Sequence, residues 1–149
     1  MADVLYLDDL RIGETFRTKA HALDADQVMS FALQFDPQPF HLDESQARQS
    51  IFAGLAASGW HTAAVTMRLL VTSGPRLAGG FVGASVTVDW KAPTRPTDVL
   101  HVESEVVEIT RSRSRPDRGT VLLRSTTLNQ HGVVVQVMTA TLMVSRRPA

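Results

Sequence analysis

The chain contains no cysteine and a single tyrosine, and its 15 Lys+Arg residues are matched by 15 Asp+Glu. The missing thiols exclude disulfide frameworks, cysteine nucleophiles, Cys-ligated zinc and iron–sulfur clusters. A formal net charge of zero gives no general attraction to phosphate backbones or acidic membranes. Long apolar runs are missing as well. The uncharged stretch from Gln49 to Met67 is interrupted by Gly54, Ser58, Gly59, His61, Thr62 and Thr66, too polar for the roughly 20 mostly apolar residues of a membrane span. The first ten residues, MADVLYLDDL, carry three aspartates and no positive leader region, so a cytoplasmic location is expected.

What remains is a 149-residue chain, 44% hydrophobic, with no linker-like Pro/Ser/Gly segment and no internal repeat. A chain of this size buries roughly 70% of its unfolded surface, enough for a core without covalent or metal staples. One domain spanning 1–149 is expected. The first half reads as helical and the second as strand-rich. After a first strand over 14–21, Asp24 with Gln27 three positions on forms a capping-box-like helix start, and Val28, Phe31, Ala32 and Phe35 follow at helical spacing. Pro37 and Pro39 stop this helix and stiffen the loop Asp36 to His41, DPQPFH. A short helix is predicted over 43–49. A longer one over 60–71 ends at Gly74 and Pro75, and its apolar face, Trp60, Ala63, Ala64, Met67, Leu70 and Val71, calls for burial on nearly all sides.

From Phe81 onward the period switches to two, and strands are predicted over 81–90, 97–109, 120–128 and 133–144, joined by short turns as an antiparallel meander. The fold class is therefore α+β, with the sheet wrapped around the helix 60–71. Asp36 and His41, five residues apart on the stiff loop, place a carboxylate and an imidazole where both can act on one water. They could equally act as caps, Asp36 of the turn before Pro37 and His41 of the next helix. At Ser58–Gly59 the first helical turn leaves N–H groups without intrahelical partners, an arrangement suited to holding an oxyanion on the N–H of Gly59 or Trp60. The other reading of this dipeptide is an N-cap serine and a packing glycine.

FDPQPFHLDESQA, followed by GLAASGWHT, resembles the MaoC-like, or (R)-specific enoyl-CoA hydratase, family of hot-dog folds, whose signature reads approximately GDxNPxHxD…A…AHG. Asp36 and His41 fall on the family's catalytic Asp and His, Pro39 on its proline, Asp43 on the following acid and Gly59 on its oxyanion glycine. The passage DWKAPTRPTDVL is similar to the family's strand–Pro–turn segment after the central helix. This chain departs from the pattern at Phe35, Gln38 and Ser58, where the family has glycine, asparagine and histidine, and at Met67, where some members carry serine.

The resemblance implies a hot-dog fold and addition of water across the 2,3-bond of an enoyl-CoA, or its removal from the 3-hydroxyacyl-CoA. It makes Asp36, His41 and Gly59 the catalytic set, with Pro39, Phe40, Ser58 and Trp60 around the substrate. Coenzyme A enters as part of the substrate, no cofactor or metal is implied, and a homodimer or an assembly of dimers is expected. The arginines Arg111, Arg113, Arg115 and Arg118 are candidates for its phosphates or, as for most charged hairpin tips, simply solvated. Two alternatives share the fold: a hot-dog thioesterase, disfavoured because no acid occurs between Glu44 and Asp89, and a non-catalytic acyl-CoA-binding subunit.

Overall fold

The computed structural model describes residues 3–149. A 3-10 turn, η1 (Leu7–Asp9), precedes two short strands, β1 (Thr15–Arg17) and β2 (His21–Ala22), which occupy the predicted first strand. Helix α1 (Ala25–Phe35) starts where Asp24 accepts the Gln27 N–H at 2.8 Å. Val28 and Ala32 are fully buried, whereas Phe35 is 68% exposed. The proline loop contains an unpredicted helical turn, α2 (Pro39–Leu42), with Pro39 in its first turn where a missing N–H costs nothing. Asp43 then caps α3 (Glu44–Arg48). Helix α4 (Gly59–Ser73) follows, and then β3 (Val82–Trp90), β4 (Val99–Arg111), β5 (Arg118–Leu128) and β6 (Val134–Ser145).

The strands form an antiparallel sheet in the order β1-β4-β5-β6-β3, with β2 also pairing β4. The predicted meander holds for β4 to β6, but β3 is displaced: it crosses to the far edge and pairs β6, Trp90 facing Gln136. Local alternation identifies a strand without naming its partner. The crossing lets α4 lie across the sheet, packing Val65, Leu69 and Leu70 on Leu100, Val102 and Val135.

The predicted burial of α4 is corrected. Its buried face carries His61, Thr62, Val65, Thr66, Leu69 and Leu70. Trp60, Met67 and Val71 point outward and are exposed in the monomer. Hydroxyls win the interior because each finds a partner: Thr62 Oγ1 donates to Thr94 Oγ1 at 2.9 Å, and Thr66 Oγ1 lies 2.6 Å from Thr127 Oγ1. Among the described residues, no helix is long and apolar enough to cross a membrane.

Candidate active site

Three segments meet at the N-terminal end of α4: the proline loop, the passage 50–58, and the turn after β3. At the end of α1 the Asp36 N–H still bonds the Ala32 carbonyl at 2.8 Å, and the backbone then leaves the helix. The α2 turn brings His41 back, so that its Nε2 lies 3.2 Å from Asp36 Oδ2. His41 is buried, and its Nδ1 lies 2.6 Å from the Ala56 carbonyl. A carbonyl only accepts, so Nδ1 carries the proton and, in the neutral ring, Nε2 offers a lone pair. In that state two acceptors face one another, and one water donating a hydrogen to each satisfies both. With the second nitrogen also protonated, Nε2 instead donates to Asp36 and the ring's positive charge favours the carboxylate.

Gln38 Nε2 donates to the other Asp36 oxygen at 2.6 Å. Partial burial works to raise the Asp36 pKa, but hydrogen bonding from Gln38 and Ser58 and the neighbouring His41 outweigh it. The carboxyl is held below the usual carboxylate value. Gln38, which stands where the family has asparagine, thus favours the ionised form of Asp36.

Ser58 is fully buried and caps α4, its Oγ accepting the Trp60 N–H at 3.2 Å. The Trp60 amide is thereby engaged. His61 and Thr62 N–H groups both turn to the Ser58 carbonyl. Gly59 N–H has no hydrogen-bond partner among the described residues and remains available to an incoming oxygen. Position 59 must be glycine for a second reason: a Cβ there would collide with the indole of Trp90. Both readings of Ser58–Gly59 therefore have structural substance, a cap and packing glycine that together leave one amide free.

A cavity of about 400 Å³ joins these groups, bordered by Asp36, Phe40, His41, Gly59, Thr62 and Trp90. Phe40 packs edge-on against Phe52, with centroids 5.1 Å apart. Of the expected substrate-binding residues, Phe40 and Trp60 border this space, while Pro39 and Ser58 shape it from behind. Among the described residues, Asp36 is the sole acid on its wall.

Phe52, Trp90, Thr94 and Arg95 also shape this site, beyond the residues expected from the sequence. Arg95 donates to the carbonyls of Phe52, Gly54 and Leu55 and so pins the passage that presents Ala56 to His41. The signal for Trp90 and Arg95 is the strand-ending tryptophan and the proline-flanked arginine in DWKAPTRPTDVL. The hairpin arginines sit elsewhere. Arg118 pairs with Asp117 and lies opposite Ser145, nine residues along β6 from Gln136, or roughly 30 Å away.

An antiparallel sheet with one long helix held across it defines the hot-dog class. Residues 9–129 match the family described as MaoC like domain, and the chain belongs to that family. The crystal structure of a MaoC-like dehydratase from Rhodospirillum rubrum superposes with a TM-score of 0.95 at 58% identity, covering 97% of this chain and 99% of that one. A 3-hydroxybutyryl-CoA dehydratase from Methylorubrum extorquens is 35% identical over 113 residues, 75% of this chain and 70% of the relative. The Bacillus subtilis uncharacterized protein YdeM is also 35% identical, over 130 residues, 87% of this chain and 91% of the relative.

Proposed function

We propose that the protein is an (R)-specific enoyl-CoA hydratase, or 3-hydroxyacyl-CoA dehydratase in the reverse sense, with Asp36, His41 and Gly59 as its catalytic groups. The observation that carries this reading is Asp36 Oδ2 facing His41 Nε2, 3.2 Å apart on the wall of a cavity that also holds the free Gly59 amide; both are acceptors when the ring is neutral. The dehydratase relative supports the chemistry.

In this mechanism the two acceptors hold a water by its two hydrogens. Its oxygen bonds to C3 of the enoyl thioester as the pair takes one proton, and electron density moves through C2 onto the thioester oxygen. Gly59 N–H donates to that oxygen as charge builds there. The proton then passes to C2, giving the 3-hydroxyacyl thioester with the atoms of one water added and no net redox change. Thioester hydrolysis would have to rely on Asp36 alone, because the hydroxyls of Thr62 and Thr66 are already committed to Thr94, Thr127 and the helix backbone.

The substrate site is completed, in our reading, by a second copy of the chain. Among the described residues β3 pairs only with β6 and leaves one edge open. Beside it, an apolar groove of about 490 Å³ runs between α4 and the sheet, lined by Trp60, Met67, Val86, Val88, Met138 and Leu142. Trp60 borders the groove and the catalytic cavity alike, so one partner edge would shelter both. A dimer in light scattering that becomes monomeric on Val86→Lys supports this; a monomeric wild type contradicts it.

The activity is tested by incubating purified protein with enoyl-CoAs of increasing length and branching, followed by chiral analysis. The expected product is the (R)-3-hydroxyacyl-CoA. Absence of hydration across the whole panel overturns the proposal.

A further inference from the structure

We propose that Trp90, anchored by the fully buried Gln136, is a positioning residue for the Gly59 amide; this rests on the hydratase reading above. The indole Nε1–H lies 3.0 Å from the Gly59 carbonyl and 3.0 Å from Gln136 Oε1, a donor shared between the first residue of α4 and the β6 strand. The ring also fills the space that a Cβ at position 59 would occupy. Gly59 is therefore held on two sides, by a hydrogen bond to its carbonyl and by packing on its Cα. An amide fixed this way is already aimed when charge develops on the thioester oxygen and spends nothing on reorganisation.

Behind the indole, the anchor is itself anchored. Gln136 Nε2 donates to Thr66 Oγ1 at 3.0 Å, and Thr66 Oγ1 donates to the Thr62 carbonyl at 2.9 Å, one turn along the same helix. The chain of bonds thus leaves α4 at Gly59, passes through β3 and β6, and returns to α4. Trp90 Nε1 closes a loop that sets how the first turn of α4 sits against the sheet. Phenylalanine at this place would keep the ring and lose the bond.

Trp90→Phe tests the proposal. Positioning of an amide that acts in the transition state predicts a fall in kcat of about tenfold, less than the 10² to 10³ lost with a direct oxyanion donor, and a KM changed less than twofold. A spectroscopic readout separates positioning from mere packing. The thioester carbonyl stretch of bound butyryl-CoA, which cannot be hydrated, should shift back toward its free value in the variant. Gln136→Met, which leaves the indole and removes its second anchor, should lower kcat in the same direction by about threefold, and it serves if Trp90→Phe does not fold. An active wild type whose kcat and carbonyl stretch are both unmoved in the soluble variant overturns the positioning role alone. A wild type that hydrates no enoyl-CoA overturns the hydratase reading and this inference with it.

Discussion

The two ends of the long strands handle polar groups in opposite ways. At the cavity end, Gln136, Thr66 and Thr127 are sealed from water and bonded to one another and to Trp90. At the other end, Arg147 meets Asp9 at 2.7 Å and Arg146 meets Asp8 at 3.0 Å, both at the surface around η1 and the C-terminus. Removing a partner from a buried network strands a desolvated atom, whereas removing one from a surface pair returns the other to water. Polar interactions here are therefore costly to break where they shape the cavity end and cheap where they fasten the termini.

The sharpest break of that contrast is at the proposed catalytic pair, Asp36 and His41. Asp36→Asn and His41→Ala should each lower hydration by about 10² to 10⁴, the usual worth of an acid–base group, with the circular dichroism spectrum unchanged. Because Asp36 has a pKa below the ordinary carboxylate value, it is ionised at neutral pH. Its contribution to activity should fall away only below the usual carboxylate range. Gly59→Ala comes next: the new methyl meets Trp90, and overpacking of this kind costs about 1–3 kcal/mol, visible as a lowered melting temperature along with lost rate.

Thr66→Val removes the hydroxyl shared by Gln136 and Thr127. It should cost about 1–3 kcal/mol in denaturant unfolding while leaving the Asp36–His41 pair in place. A smaller effect is expected at His61, which is buried, stacked on Phe31 with centroids 4.6 Å apart, and has an unpartnered Nδ1. Burial and the nearby His21 hold its pKa below 6.5. Above that value the ring is neutral in both folded and unfolded chains. As the pH falls below it, the unfolded chain takes up the proton first, so folding stability declines. His61→Phe should remove that decline between neutral and mildly acidic pH, as read by melting temperature. Arg147→Ala should leave the melting temperature within error of wild type, and a drop as large as that of Thr66→Val would erase the contrast.

Much of the cavity end was legible because its signals are local. Proline placement stiffens the segment from Asp36 to His41, the Asp24 and Asp43 caps are visible in the sequence, and Ser58–Gly59 marks a helix start. The non-local features were not. Which edge β3 joins depends on how α4 crosses the sheet, and the outward turn of Trp60 and Met67 depends on Thr62 and Thr66 finding partners on the neighbouring turn and strand. In the sequence Trp90 is one more apolar residue at the end of an alternating strand; its indole acquires a role only when Gln136, 46 residues later, arrives beside it.

The central claim, that this cavity adds water to a carbon–carbon double bond and leaves the thioester intact, is tested most directly by mass spectrometry of wild-type protein with crotonyl-CoA in heavy-oxygen water. One heavy oxygen on C3 of intact 3-hydroxybutyryl-CoA is the expected result. Heavy oxygen in a free carboxylate, with release of the coenzyme A thiol and no hydroxyacyl product, would contradict it.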